Sequence, residues 1–202
     1  MPFAQTKGSA DHPCHSSAKK KIPFDPFIGN HVVMNTNEII GSVLVSAKVI
    51  KERMNSQGLM CLQKSAMLYE LLSKQSMDCK LSLKAGDFHM FGIPVFTQNY
   101  SLNGIKEDRQ GEWDGHCWIE IDSRHIFDIS IIDTIKSSSF HSHLREQYLA
   151  THDARADLYH LDKNPSNSIK YAFKYVEKET LEDASIEAIL QGVANYYDKF
   201  KK

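Results

Sequence analysis

The sequence predicts an α+β fold in which helices flank an antiparallel sheet. Three observations indicate this class. Apolar residues recur at helical spacing between residues 37 and about 74. Short runs of β-forming residues follow between residues 80 and 130, and helical spacing returns from about residue 139. Helices first, strands next and helices last are the order expected of an α+β domain.

Two helices are predicted in the first third of the chain. The first runs through NEIIGSVLVSAKVIKERM, and Asn37 or Thr36 is its expected N-terminal cap. The stretch NSQG then interrupts the pattern, and a second helix follows from Leu59 to about Lys74. The apolar positions of the first helix fall at helical spacing: Ile39, Ile40, Val43, Leu44, Ala47, Ile50 and Met54.

Four short segments in the middle of the chain are predicted strands. KLSLKAG, MFGIPVFTQNY, HCWIEID and HIFDIS are rich in β-formers and are separated by Gly, Pro, Asn and Asp-Ser. Polar and apolar residues alternate in WIEI, so one face of that strand is expected to be buried and the other wet. Asp122-Ser123-Arg124 is the predicted turn into HIFDIS.

The last third is predicted to be helical again. The candidates are HSHLREQYLA, SIKYAFKYVEK and LEDASIEAILQGVANYYDKF, and the last of these has a broad apolar stripe. Tyr171, Phe173 and Tyr175 alternate along the second candidate, so that segment is equally compatible with a strand. The aromatic residues of this region are expected to pack over the sheet.

Length and composition fit one globular domain. The chain has 202 residues, of which 42% are hydrophobic and 24% charged. Residues 1–30 hold four of the six prolines and the basic run Lys19-Lys20-Lys21, and are predicted to form an irregular N-terminal lead-in. Residues 31–202 are predicted to form the single domain.

Charge and apolar pattern narrow the expected partners. The formal net charge is −1, which gives no electrostatic argument for nucleic acid or an anionic membrane. No apolar run approaches the roughly 20 residues that span a bilayer. The start of the chain lacks the order of a secretory signal, so the four cysteines are expected to be reduced in a cytoplasmic compartment.

Three residues are arranged for nucleophilic chemistry. Cys61 opens an apolar helix, where unpaired backbone N–H groups and the helix dipole favour the reactive thiolate. His116 starts one predicted strand and Asp128 lies in the next. The positions of His116 and Asp128 mirror each other about residue 122, so a tight hairpin is expected to bring them together. A carboxylate on one ring nitrogen then leaves the other nitrogen for the thiol.

A cysteine on a helix, then His-x-Trp-x-Glu on a strand, then an aspartate on the next strand is an order that resembles the transglutaminase-like superfamily. The core of that superfamily is similar to those of papain-type peptidases and arylamine N-acetyltransferases. The resemblance covers roughly residues 55–132 and implies a papain-like core, in which a catalytic helix packs on an antiparallel sheet with flanking helices. The residues that match are Gly58, Cys61 and Ala66 on the helix and His116, Trp118, Glu120 and Asp128 on the strands, with Ser130 near the usual Pro-Thr.

The resemblance implies an enzyme with Cys61 as nucleophile, His116 as base and Asp128 as orienter. The expected reaction passes through a thioester on an amide, and the acyl group ends on water or on an amine. The protein is thus expected to be a peptidase or amidase, or else a transglutaminase or acyltransferase. Its substrate would be a peptide, a protein or a small amide, and the chemistry requires no metal or organic cofactor.

The chain departs from the family pattern in several places. Cys117 replaces the small residue that usually follows the histidine, and Phe127 stands where a Trp precedes the aspartate. The backbone N–H of Cys61 is an expected oxyanion donor. Gln57 and the indole of Trp113 are candidates for the second donor.

Other interpretations stay open from the sequence. Cys61 alone is also compatible with a buried structural thiol. Asp122 and Asp133 are rival orienters of His116, although Asp122 falls in the predicted turn. Cys79 and Cys117 are expected in the core. A binding module that keeps the fold without turnover is the main alternative function, and a thiol-redox protein is disfavoured because no Cys-x-x-Cys pair occurs. His12, Cys14 and His15 lack the second ligand pair of a zinc site. His141 and His143 are two residues apart near a helix start and are not expected to share a face.

Overall fold

A computed structural model describes residues 35–53, 61–75, 77–105, 113–137, 140–150, 158–163 and 172–200. The predicted lead-in of residues 1–30 lies outside the described residues, as do Gln57, Gly58 and the cluster at 12–15. Within the described ranges the chain forms five helices and six strands in an α+β arrangement, which confirms the predicted class. In chain order they are α1 (Thr36–Arg53), α2 (Cys61–Ser73), β1 (Leu81–Met90), β2 (Ile93–Phe96), β3 (His116–Ile121), β4 (His125–Asp128), α3 (Ile131–Lys136), α4 (Ser142–Leu149), β5 (Tyr159–Asp162), β6 (Phe173–Thr180) and α5 (Asp183–Phe200).

The N-terminal cap of α1 is Asn35, not Asn37 or Thr36 as predicted. The side-chain oxygen of Asn35 accepts hydrogen bonds from the backbone amides of Asn37 at 3.0 Å and Glu38 at 3.1 Å. The Glu38 carboxylate in turn accepts the Asn35 amide at 2.7 Å, which completes a reciprocal capping box. The helix therefore begins at Thr36, one residue before the predicted segment, because the cap acts through polar groups ahead of the apolar stripe.

The segment SIKYAFKYVEK contains a strand rather than a helix. Its residues from Phe173 onward belong to β6, which agrees with the alternation of Phe173 and Tyr175. The helical prediction for this part is wrong because the strand pairs with distant β1, and propensity alone does not report such pairing. The short elements α3 and β5 were not predicted from the sequence at all.

Strand β1 organises the sheet. The strand order is β2-β1-β3-β4-β5, every pairing is antiparallel, and β6 also pairs with β1. The first part of β1 pairs with β3 and its second part with β6, so that Gly86 lies opposite His116 and Phe88 opposite Tyr175. One ten-residue strand thus sets the positions of both neighbours.

The β3–β4 hairpin is centred one residue later than predicted. Ile119 pairs with Phe127 and Ile121 with His125, so the turn is centred on Ser123. Asp122 and Ser123 have φ of 52° and 56°, as a tight turn requires. In the predicted hairpin the numbers of two paired residues, such as 116 and 128, add up to 244, whereas in the structure they add up to 246. Since this shift is even, the side chains that shared a face in the prediction still share it.

Strand β3 has no wet face, contrary to the alternation in WIEI. All six residues of β3 are buried. Cys117, Ile119 and Ile121 lie in the main core, which helices α1, α2 and α5 cover. On the opposite face, Trp118 packs with Ile126 and Leu161, and buried Glu120 forms an ion pair with Lys163. The prediction is wrong because tertiary contacts from β5 and its neighbourhood cover the polar positions.

The two cysteines predicted in the core, Cys79 and Cys117, differ in burial. Cys117 is fully buried in the main core. Cys79 is only partly buried and packs against the edge of the same cluster. A second apolar cluster lies beyond the far end of β1, where Phe88 and Met90 meet helices α3 and α4.

We predict that Gly86→Ala destabilises the protein by about 1 to 3 kcal/mol. A Cβ at residue 86 would lie 2.0 Å from the carbonyl oxygen of Val176 and 2.9 Å from the amide of Lys178, at the irregularity between β1 and β6. Both obstacles are backbone atoms and therefore move only with the strand. Urea-induced unfolding measures the change in free energy.

Gly41→Ala is the matched control for this substitution. Gly41 lies inside α1, and no atom lies within 4 Å of a Cβ added there. Alanine is expected to stabilise the helix by about 0.8 to 1 kcal/mol. Equal effects of the two substitutions would contradict the tight β1–β6 approach.

Candidate active site

The beginning of helix α2 lies against the beginning of strand β3. Cys61 is the first described residue of α2, and its thiol lies 3.9 Å from the carbonyl oxygen of Gly115, which can accept a weak S–H hydrogen bond. One turn later, the hydroxyl of Ser65 donates to the carbonyl of Cys117 at 3.1 Å. Ser65 is fully buried, so this bond fixes the distance between the helix and the strand. The beginning of α2 therefore packs on β3, the first strand of the hairpin.

His116 and Asp128 form an enclosed pair. The Nε2 atom of His116 lies 2.5 Å from Oδ2 of Asp128, and both side chains have 0% exposure. Burial lowers the pKa of His116, but the charge of Asp128, its hydrogen bond and the contact with Cys61 outweigh burial and raise the pKa to about 10. Burial alone would raise the pKa of Asp128, yet His116 and the neighbouring donors hold it below its usual value. Both shifts favour the form of the pair in which the imidazole is protonated and the carboxylate is ionised.

The other carboxylate oxygen of Asp128 fixes its orientation. Oδ1 accepts hydrogen bonds from the amide and hydroxyl of Ser130 and from the amide of Ile131, each at 3.0 Å. Ser130 is the N-terminal cap of α3 and Ile131 is its first residue, so these donors come from the start of a helix that the sequence did not predict. Ser130, which matched the family position only loosely, thus contacts the carboxylate directly.

A residue that the sequence did not single out also reaches this carboxylate. The hydroxyl of Tyr175 on β6 donates to Oδ2 of Asp128 at 2.9 Å. The alternation of Tyr171, Phe173 and Tyr175 indicated a strand, but nothing local indicated that this strand lies beside β1. The alternation was thus compatible with a strand that contains Tyr175, but it did not predict the contact with Asp128.

The second ring nitrogen of His116 remains for the thiol. Since Nε2 is bonded to Asp128, only Nδ1 is left, and among the described residues it has no hydrogen-bond partner of standard geometry. Cys61 nevertheless lies close enough to the imidazole to raise its pKa. The contact between the Cys61 sulfur and the ring is therefore looser than a standard hydrogen bond. Cys61 is partly exposed, whereas the imidazole behind it is enclosed.

Two phenylalanines enclose the imidazole. Phe96, the last residue of β2, stacks on His116 with ring centroids 5.2 Å apart and an interplanar angle of 8°. Phe88 of β1 lies at the same centroid distance with its plane tilted by 47°. The rings keep water from the His116–Asp128 pair, and the face of an aromatic ring attracts a cation. The β1–β2 hairpin thus contributes to the site through packing.

Trp113, a predicted oxyanion donor, has its N–H in use. Its indole nitrogen donates to the carbonyl of Tyr100 at 3.3 Å. A Cβ at Gly115 would lie 2.3 Å from the Trp113 ring, so the ring lies directly against the chain before His116. Trp113 therefore shapes the approach to β3 and is not free to bind an oxyanion. The other candidate, Gln57, lies outside the described residues.

The rival aspartates have other partners. Asp122 accepts the amide of Lys80 at 2.7 Å within the turn region. Asp133 pairs with Lys51 at 3.1 Å and with Lys64 at 3.2 Å. Neither contacts His116, so Asp128 is the aspartate that the fold places on the imidazole.

Other features of the described residues do not extend the site. A cavity of about 220 Å³ lies at the far end of α2, between Tyr69, Leu72 and Cys79, roughly 16 Å along the helix from Cys61. In the described ranges no group of three or more His, Cys, Asp or Glu side chains is placed to hold a metal ion. Among the helices described, none combines the length and apolar character that crossing a membrane requires.

Comparison with known proteins adds no relative. No protein-family profile matches the chain, and neither curated proteins nor solved structures give a significant match.

We predict that the His116–Asp128 pair makes stability depend on pH in two directions. The raised pKa of His116 stabilises the fold below the unfolded value of about 6.5, and this contribution is lost as pH rises toward about 10. The lowered pKa of Asp128 stabilises the fold above the unfolded value of about 3.9, and this contribution is lost as pH falls below it.

Urea titrations at a series of pH values test this dependence. The wild-type free energy of unfolding is expected to fall by roughly 2 kcal/mol more than that of His116→Gln between about pH 7 and pH 9. Parallel curves for the two proteins would show that His116 is not held as an imidazolium.

Proposed function

We propose that this chain is a cysteine enzyme of the transglutaminase-like type, with a papain-like core, that acts on amides through a thioester. The observation that supports it most is the enclosed His116–Asp128 pair, whose imidazole lies near the partly exposed Cys61. The resemblance in the order of Cys61, His116 and Asp128 along the chain supports the same class.

In the proposed mechanism the thiolate of Cys61 attacks the carbonyl carbon of the amide. A tetrahedral intermediate forms, and the backbone N–H of Cys61 is a donor to its oxyanion. The imidazolium of His116 gives its proton to the leaving nitrogen, the C–N bond breaks, and a thioester and a free amine remain. Asp128 keeps the ring orientation and stabilises its positive charge.

The fate of the thioester distinguishes hydrolysis from transfer. Attack by water, with His116 as base, releases a carboxylic acid and regenerates the thiol. Attack by an amine instead forms a new amide. The resemblance favours hydrolysis, so we propose a peptidase or amidase first and an acyltransferase second. The free thiols of Cys61, Cys79 and Cys117 are consistent with a reducing, cytoplasm-like compartment.

A binding module without turnover is the second candidate. The observation in its favour is the absence of a standard hydrogen bond between the Cys61 sulfur and Nδ1 of His116 among the described residues. A module of this kind would keep the enclosed pair for stability alone. The two candidates differ in whether Cys61 reacts faster than an ordinary thiol.

We predict that iodoacetamide modifies Cys61 at least tenfold faster than Cys79 at about pH 7, since an adjacent imidazolium favours the nucleophilic thiolate. Cys79 is the matched internal control, because it is also partly buried but has acidic neighbours. Burial, and then the charges of Asp122 and Asp78, raise the pKa of its thiol. Peptide mapping by mass spectrometry gives the rate at each cysteine.

The role of His116 is tested with a pair of substitutions. His116→Ala is expected to remove the rate advantage of Cys61, whereas His125→Ala, a change at another buried histidine, is expected to keep it. Equal slow labelling of all thiols in the wild type would contradict the proposed function.

Acyl transfer itself is tested with p-nitrophenyl acetate. Cys61 is expected to gain the mass of one acetyl group with release of a burst of p-nitrophenol, because the thioester accumulates before deacylation. The Cys61→Ser variant is expected to lose the adduct. A reactive Cys61 that never acylates would favour the binding module.

A further inference from the structure

Two side chains from different strands share one carboxylate oxygen of Asp128. Oδ2 lies 2.5 Å from Nε2 of His116 on β3 and 2.9 Å from the hydroxyl of Tyr175 on β6. The three other donors among the described residues all bind Oδ1 and come from Ser130 and Ile131 at the start of α3. The imidazole and the phenol therefore compete for the negative charge on the same atom.

The ring of Tyr175 is held in place on several sides. Its centroid lies 5.2 Å from Phe88, 5.1 Å from Trp118 and 6.2 Å from His116. Backbone pairing with Phe88 fixes its height along the sheet. Burial, followed by the charge of Asp128, raises the pKa of Tyr175 well above its usual value, so the phenol stays protonated and acts as a donor.

A second donor on a carboxylate oxygen weakens the pull of that oxygen on the first. A thiol enzyme needs an imidazolium stable enough to pair with the thiolate, yet acidic enough to protonate the leaving amine. Asp128 alone, enclosed beside His116, would hold the imidazole proton very tightly. A neutral phenol on the same oxygen lowers this hold without adding charge to the site.

We propose that Tyr175 is a positioning residue that moderates the basicity of His116 by donating a hydrogen bond to Oδ2 of Asp128. This inference depends on the proposed function, because it gives Tyr175 a part in the same proton transfer. Tyr175 acts through Asp128 and contacts neither the thiol nor the substrate carbonyl in this scheme. A purely structural Tyr175 would pack against Phe88 and Trp118 without changing the titration of His116.

The experiment replaces only the hydroxyl, with Tyr175→Phe. The NMR titration of the His116 ring is expected to shift upward by roughly one pH unit, since Asp128 loses a donor and attracts the imidazolium more strongly. The alkaline fall in the rate of Cys61 alkylation by iodoacetate, which follows loss of the imidazolium, is expected to shift in the same direction.

Tyr148→Phe is the matched control. Tyr148 is buried in the neighbouring aromatic cluster, where its ring centroid lies 5.3 Å from that of Phe173, and it is not among the described residues that donate to Asp128. Its substitution removes a buried phenol and is expected to leave the His116 titration unchanged. A shift as large as that of Tyr175→Phe would overturn the inference.

A fluorinated tyrosine at position 175 tests the same point without removing the hydrogen bond. Because fluorine makes the phenol a stronger donor, the titration of His116 is expected to shift downward, opposite to Tyr175→Phe. If the folded fluorotyrosine protein has a reactive Cys61 but an unchanged His116 titration, the inference about Tyr175 is overturned and the proposed function is not. Failure of Cys61 to react selectively in the wild type would instead overturn the proposed function, so the two failures are distinguishable.

Discussion

The ion pair of His116 and Asp128 is the interaction on which the site depends. Both side chains are fully enclosed, and an enclosed charge is costly unless it is paired and hydrogen-bonded. Among the described residues, the fold provides five donors to the Asp128 carboxylate, which come from β3, from β6, from Ser130 and from the first residue of α3. Loss of any one of these contacts leaves a buried charge less well compensated, which links the geometry of the sheet to the chemistry of the pair.

Strand β1 brings the parts of this network together. It holds β3 on one side, with Gly86 opposite His116, and β6 on the other, with Phe88 opposite Tyr175. Gly86 lacks a side chain where the backbone of β6 passes closest. The Ser65 hydroxyl then fixes α2 on β3, so that the thiol lies beside the ring. The two parts of the candidate site therefore differ in burial: the His116–Asp128 pair is enclosed, and Cys61 is partly exposed.

Much of the fold and the pair at the site could be predicted from the sequence because the signals are local. Apolar spacing predicted α1, α2 and α5, and the turn residues predicted the β3–β4 hairpin. The hairpin was placed one residue too early, yet His116 and Asp128 still meet, because a shift of two in the pairing sum preserves the face of each side chain. The cap at Asn35 was missed because the apolar pattern begins after it.

By itself the sequence determined the class of fold, the order of Cys61, His116 and Asp128 along the chain, and the hairpin that joins the last two. Only the tertiary structure decided that β3 is covered on both faces, that Trp113 binds Tyr100, and that Tyr175 reaches Asp128. The physical reason is the distance along the chain. Residues 128 and 175 are separated by 47 positions, and their meeting depends on which strand lies beside β1. That choice is made by packing of the whole sheet, and no local pattern of residues records it.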